Sequence, residues 1–168
     1  MKTMRLSRAS LFLTAALILA WLDGFLTPLL FAAVPGVKLG LANVAVTVCM
    51  IHLGFLAACS VGFIRVLTVF LLSGNPVSFA FSMGGLIFSL IATHFALKLP
   101  QKYFSMVSVS VISALLFNFG QGIVSVIFFG RAFLYYVPIL CILSLPCGWM
   151  TGIAINGVFM MKKSKNNG

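Results

Sequence analysis

Apolar residues run along the chain in long blocks, and short polar or turn-forming stretches separate these blocks. A helix that crosses a bilayer needs about 20 mainly apolar residues, and most of the blocks reach or approach that length. The pattern predicts an all-α integral membrane protein, a single transmembrane domain over residues 1–168. Its six helices are predicted at approximately 9–30, 38–51, 54–72, 77–97, 104–129 and 132–161.

Turn signals set most of the predicted boundaries. Pro35 and Gly36 lie in a predicted loop at 31–37, and Ser-Gly-Asn-Pro at 73–76 separates the third and fourth helices. Leu-Pro-Gln at 99–101 ends the fourth helix, and Gly-Arg at 130–131 is predicted to be a tight turn. The signal between the second and third helices, around 52–54, is the weakest.

Composition supports a membrane protein and excludes several other classes. The 168 residues are 62% apolar and 7% charged, whereas soluble domains are about 45–50% apolar and about 25% charged. So short a chain cannot bury that much apolar surface. A soluble enzyme, a secreted domain and a disordered chain are therefore excluded. The basic N-terminus followed by an apolar run could also be a cleaved signal peptide, but the run passes Trp21 without a cleavage site, which favours a first transmembrane helix.

The charges predict an orientation for the six helices. Lys and Arg number 11 against one acid, giving a net charge of +10. With six spans both termini lie on one side, together with most of the basic residues, and the positive-inside rule makes that side cytoplasmic. Lys38 and Arg131 fall on the opposite side and Arg65 inside a span. The residues on the cytoplasmic side are Lys2, Arg5, Arg8, Lys98, Lys102, Lys162, Lys163 and Lys165.

Three charged residues within or beside the spans need an explanation, because a charge near the bilayer centre costs roughly 2.5–3.5 kcal/mol. Asp23 lies in the outer half of the first helix, Lys38 opens the second, and Arg65 lies near the middle of the third. Two interpretations stay open. Asp23 forms an ion pair with Arg65 or Lys38 that holds helices together, or the three line a polar pocket.

Three amides fall at a similar predicted depth. Asn118 and Gln121 share one face of the fifth helix through their i, i+3 spacing, and Asn43 lies near the outer end of the second helix. Each could simply bond across helices. Taken with the three charged residues, they form a candidate substrate-binding site, and two basic groups against one acid favour a polar or anionic ligand.

The sequence gives little support for a metal site, a nucleotide-binding loop or a disulfide framework. A carboxylate-based metal site cannot be built from one acid, and no Walker A loop is present. The four cysteines lie inside apolar runs and form no C-x-x-C pair, so neither a disulfide framework nor a zinc site is predicted. We therefore expect no metal, no cofactor and no catalytic residue in this chain, and no nucleic-acid partner.

Small residues recur every four positions on two helices. Ala16, Ala20 and Gly24 share a face of the first helix, and Gly148 and Gly152 share a face of the sixth. Such small-x-x-x-small faces let helices approach closely. They serve either packing within the bundle or docking of another membrane protein.

The string Val-Pro-Gly-Val-Lys-Leu-Gly-Leu-Ala-Asn at 34–43 resembles a bacterial membrane family known both as heptaprenyl diphosphate synthase component I and as Gx transporter. The resemblance covers about residues 9–155. It includes Asp23, Arg65, the stretch 79–86, and the pair Asn118 and Gln121. Phe117 is a departure, because a His is expected before the Asn.

This family in turn looks like the substrate-binding S components of energy-coupling-factor (ECF) transporters. That likeness implies an S-component-like bundle in the bacterial cytoplasmic (inner) membrane. It also implies uptake of a small molecule that is energised by ABC ATPases and a separate coupling subunit, and the coupling subunit would dock on Ala16 and Ala20. The alternative implied by the first family name is the membrane component of a polyprenyl diphosphate synthase, whose partner is a soluble prenyltransferase subunit.

Overall fold

The computed structural model describes residues 2–30, 40–100 and 105–166, and these ranges contain helices and no strand. The predicted loop at 31–37 and Lys38 lie outside the described residues. A 3-10 helix, Arg131–Tyr136, precedes the last helix. The six α-helices are α1 Lys2–Leu30, α2 Leu41–Leu53, α3 Phe55–Ser73, α4 Pro76–Lys98, α5 Met106–Phe129 and α6 Val137–Asn166.

Five of these helices are long and apolar enough to cross a membrane, which fits a multi-pass membrane protein. Large apolar side chains on α1 are exposed, including Leu11, Trp21 and Phe25, as expected for a surface that faces lipid. The second helix differs. Its 13 residues extend about 20 Å at 1.5 Å per residue, which is short of the ~30 Å apolar layer. The structure therefore confirms five of the six predicted spans by length.

Most boundaries follow the predicted turn signals. Gly74 ends α3 in the left-handed conformation at φ 63°, and the Asn75 side chain caps α4 by accepting from the amides of Val77 and Ser78 at 3.0 and 3.1 Å. The boundary between α2 and α3 had the weakest turn signal in the sequence. It consists of a single residue, Gly54, at φ 93°. A side chain there would be strained, so glycine permits the break between the two helices.

Two helix starts lie five or more residues from their approximate predicted positions. The first helix begins at Lys2 rather than residue 9, because the basic N-terminal residues favour helix even though they are polar. The last α-helix begins at Val137 rather than 132. Pro138 explains this difference, since proline fits the first turn of an α-helix but breaks its interior. The preceding residues therefore form the tighter 3-10 turn.

Helix α2 lies at the centre of the bundle. It packs against α1, α3, α4 and α6, whereas α5 packs mainly between α4 and α6. The residues of α2 from Ala45 to Met50 are all buried. Ala16, Cys49 and Ala58, each with no exposed surface, lie in the core cluster that joins α1, α2 and α3. Such small side chains let these helices pack closely.

Glycines set the closest approach on the other side of the bundle. A Cβ atom on Gly120 of α5 would lie 2.6 Å from the backbone oxygen of Gly84 on α4. On α6, Cβ atoms at Gly148 and Gly152 would lie 2.9 and 2.7 Å from the α carbons of Val111 and Val107 on α5. The small face on α6 therefore packs inside the chain.

Candidate functional site

A buried stripe of polar side chains follows one face of α5. Its members are spaced by three to five residues, so they recur on the face turned toward the other helices. Each is at most 7% exposed, in a helix whose other face carries exposed Phe and Ile. The members of the stripe are Ser110, Ser113, Asn118, Gln121 and Ser125.

Part of this stripe lines a small enclosed cavity between α2, α5 and α6. The cavity volume is about 10 Å³, which is near the lower limit for one water molecule. In this conformation it has no room for a larger molecule. Its lining is Gly40, Asn43, Val44 and Thr47 from the α2 side, Ser110, Ser113, Ala114, Phe117 and Asn118 from α5, and Ser144, Cys147 and Thr151 from α6.

Most hydroxyl groups of the cavity already have partners. Ser110 and Thr151 are joined at 2.8 Å, and Thr151 also donates to the Gly148 carbonyl at 3.0 Å. Because a hydroxyl has one proton, Ser110 must be the donor to Thr151. Ser113 is bonded to Thr93 of α4 at 2.9 Å. These bonds tie α4 and α6 to α5.

Two carboxamide oxygens of the cavity have no hydrogen-bond partner in the described part of the chain. They are Oδ1 of Asn43 and Oδ1 of Asn118, and both atoms are buried. Asn118 donates through Nδ2 to the Ala114 carbonyl at 3.3 Å. That carbonyl can only accept, so the amide orientation is fixed and the oxygen points away from it. A buried acceptor without a donor costs about 1–3 kcal/mol, so this arrangement is expensive unless an occupant supplies the donors.

The one acid of the chain lies at the edge of this cavity. Asp23 is 7% exposed and accepts a hydrogen bond at 3.1 Å from the backbone amide of Gly40, a lining residue. Arg65 is 6% exposed and is not one of the described lining residues. Asp23 thus borders a polar pocket, and the choice between its two predicted roles stays a prediction.

The structure brings together only some of the predicted site residues. Asn43 and Asn118 face one cavity and Asp23 borders it, whereas Gln121 does not line it. Gln121 is 1% exposed, and neither polar atom of its side chain has a partner among the described residues. Lys38 lies outside the described residues, so its place in the site stays a prediction.

The predicted docking face on α1 is partly buried and partly exposed. Ala16 has no exposed surface and belongs to the core of this chain, so a partner cannot reach it. Ala20 and Gly24 line an open, largely apolar groove of about 410 Å³ between α1 and α3, with Trp21 and Leu72 among its walls. The reachable part of the predicted face is therefore this groove.

The comparison with protein families identifies the family of the chain. Its sequence matches the family described as heptaprenyl diphosphate synthase component I over residues 12–158, a range that begins in α1 and ends in α6. The chain belongs to this family. No curated protein matches the sequence, and no solved structure does. The predicted likeness to ECF transporter S components therefore gains no support from the comparisons.

For this member of the heptaprenyl diphosphate synthase component I family, the structure adds site residues that the sequence analysis missed. Thr47, Ser110, Ser113, Ser144 and Thr151 line the cavity, yet none was predicted. The spacing of the α5 serines relative to Asn118 was a usable signal, because it extends the same helix face. The α6 residues gave no such signal. Serine and threonine are common in transmembrane helices as packing residues.

Proposed function

We propose that this chain is the non-catalytic membrane component of a heptaprenyl diphosphate synthase. The observation that carries the proposal is the family match over residues 12–158. Prenyl transfer requires Mg²⁺ bound by carboxylates together with the substrate diphosphate. The sequence contains one acidic residue, so the metal-binding catalytic residues belong to a partner subunit.

The apolar surface of the bundle suits this role. A polyprenyl diphosphate has a long hydrocarbon chain that partitions into lipid, and its synthase gains from being held at the bilayer. Exposed apolar side chains such as Leu56, Leu72 and Ile127 provide the contact with lipid. In this proposal the chain anchors a soluble prenyltransferase where its product is released.

The finer topology forms part of the proposal. All six helices cross the bacterial cytoplasmic membrane, and both termini face the cytoplasm, where the soluble partner is found. Three features support this arrangement: five helices of spanning length, the direct connection of α2 to α3 through Gly54, and the clustering of basic residues at the ends.

The experiment is purification of the tagged chain from its native membrane in a mild detergent, followed by a prenyltransferase assay. The assay supplies an allylic diphosphate, isopentenyl diphosphate and Mg²⁺. Copurification of an activity that elongates the allylic diphosphate supports the proposal. Its absence from the purified material, with the activity present in the soluble fraction, refutes it.

A second function is favoured by the buried polar cavity, for which a simple anchor has no use. In this alternative the chain is a substrate-binding subunit for uptake of a small polar or anionic molecule. A separate coupling subunit and ABC ATPases energise the uptake. Charged and amide groups inside a membrane domain are costly and commonly mark a substrate path. Asn43 and Asn118, which line the cavity, and Asp23, which borders it, are proposed to bind the substrate. Lys38, Arg65 and Gln121 stay predicted site residues.

The same purification tests this alternative. Recovery of paired ABC ATPases with a transmembrane coupling protein supports transport, and their absence argues against it. Arg65→Ala is expected to abolish uptake while the protein remains in the membrane. Arg65→Lys retains the charge and controls for misfolding. Uptake at the wild-type rate by Arg65→Ala would remove Arg65 from the site.

A further inference from the structure

The cavity between α2, α5 and α6 has an excess of hydrogen-bond acceptors. Among its described lining residues, the Asn43 and Asn118 side-chain oxygens are buried and without donors. Ser110 donates its hydroxyl proton to Thr151, and Ser144 donates to the Cys141 carbonyl at 2.6 Å. Thr47 adds a hydroxyl that can either donate or accept. A complementary occupant must therefore bring donors.

The charges of the described lining act in the same direction. None of the described lining residues is a cation. An anionic group entering here meets the buried oxygens of Asn43 and Asn118, which is unfavourable in a low-dielectric interior. The anionic ligand that the sequence also suggested is therefore disfavoured at this cavity.

We propose that the cavity binds a ligand through a group that donates hydrogen bonds, a hydroxyl, an amide N–H or a primary ammonium, and rejects carboxylates and phosphates. The proposal rests on the second of the two functions above, since it assigns a ligand class to that polar site. The donors pair with Oδ1 of Asn118 and Oδ1 of Asn43, and the Thr47 hydroxyl accepts or donates as the ligand requires.

Entry of such a group requires the cavity to widen, because about 10 Å³ holds at most one water. The α5–α6 contact resists widening, since Gly148 and Gly152 place the two backbones close together. The α2–α6 contact is less extensive than the α5–α6 contact. Separation of α2 from α6 is therefore the expected route of opening.

The test uses three small probes with the purified protein in detergent: ethylamine, acetamide and acetate. They have similar size, and they present a cationic donor, a neutral donor and an anionic acceptor without a donor. Thermal unfolding, followed by tryptophan fluorescence at several probe concentrations, gives an apparent Kd for each at constant ionic strength. Ethylamine and acetamide should bind at least roughly tenfold more tightly than acetate, because acetate leaves buried acceptors unpaired.

Variants test whether the preference for hydrogen-bond donors arises at the cavity. Asn118→Ala removes the unpaired oxygen without filling the cavity and should abolish the preference for donors. Asn43→Ala makes the same test on α2 if the first variant does not fold. Ser125→Ala is the control. This buried serine of α5 bonds to the Gln121 carbonyl at 2.9 Å and does not line the cavity, so the preference should persist.

Two results would overturn the proposal. Tighter binding of acetate would show that the site prefers anions. No stabilisation by any probe, with wild type and variants alike, would mean that the cavity holds a water molecule only. Both results are independent of the subunits recovered with the tagged chain, so failure here is distinguishable from failure of the transport function.

Discussion

Asp23 on α1 accepts a hydrogen bond of 3.1 Å from the backbone amide of Gly40, immediately before α2. Gly40 has a left-handed backbone conformation, φ 75°, and its carbonyl accepts from the amide of Asn43 at 2.9 Å. The one acid of the chain thus fixes the start of the helix that carries Asn43. A residue that could have served only as a charge partner also positions a wall of the cavity.

The burial of two opposite charges, Asp23 and Arg65, leads to a first prediction. A buried charge that is left uncompensated is expected to destabilise by about 3–5 kcal/mol, so each of the two should depend on the other. Asp23→Asn retains an oxygen that accepts from Gly40 and loses only the charge. In a double-mutant cycle with Arg65→Leu, unfolding free energies in detergent should give an interaction energy of at least ~1 kcal/mol. Additive effects would show that the two residues act separately.

The contact between α4 and α5 leads to a second prediction. Gly120→Ala places a methyl group 2.6 Å from the Gly84 oxygen, and overpacking of this kind costs about 1–3 kcal/mol or more. Gly24→Ala on α1 is the matched control, because a Cβ atom there meets nothing within 4 Å. The control should be neutral or stabilising by up to about 1 kcal/mol. Thermal unfolding of both variants in the same detergent makes the comparison. Equal stability would contradict the close approach.

A third prediction separates packing from docking on α1. Ala16→Leu should lower the unfolding temperature, because Ala16 is fully buried in the core. Ala20→Leu extends into the open groove between α1 and α3, so the bundle should keep its stability. If a partner docks on this groove, Ala20→Leu should reduce its copurification severalfold. Full recovery of the partner with Ala20→Leu would place docking elsewhere.

A fourth prediction concerns the short helix α2. Single cysteines are introduced by Met4→Cys, Ser73→Cys and Lys98→Cys in a variant without the four native cysteines. The cysteines at positions 4 and 98 should react with a membrane-impermeant maleimide from the cytoplasmic side, and the cysteine at position 73 from the opposite side. Labelling of Met4 and Ser73 from the same side would mean that α2 does not cross the membrane.

The helices were predictable to within a few residues wherever the chain carries explicit turn chemistry. Gly74 and Asn75 illustrate this, since a left-handed glycine and an amide cap are local properties. The start of α6 was not predictable in the same way. Residues 132–136 are apolar enough to continue a helix, and the 3-10 turn follows from the position of Pro138 rather than from hydropathy.

The candidate site was predictable in part. The depth of Asn43 and Asn118 along their helices placed them at a common level, and the structure puts both at one cavity. The exclusion of Gln121 from the lining depends on how α5 is rotated against α6. This rotation is set by contacts such as Gly148 against Val111, which a single sequence does not reveal. The same holds for the burial of Ala16, because a small-residue face does not say which helix covers it.

The single residue between α2 and α3 ties two separate surfaces together. Consecutive α carbons are 3.8 Å apart, so Gly54 leaves almost no slack between the helices. Helix α2 carries Asn43 and Thr47 into the cavity, and α3 carries Thr68 and Leu72 into the lipid-facing groove. A shift of α2 that admits a ligand must pull on the near end of α3. Ligand binding in the cavity would then change the shape of the groove on the outer surface of the bundle, and a protein bound at the groove would respond to that change.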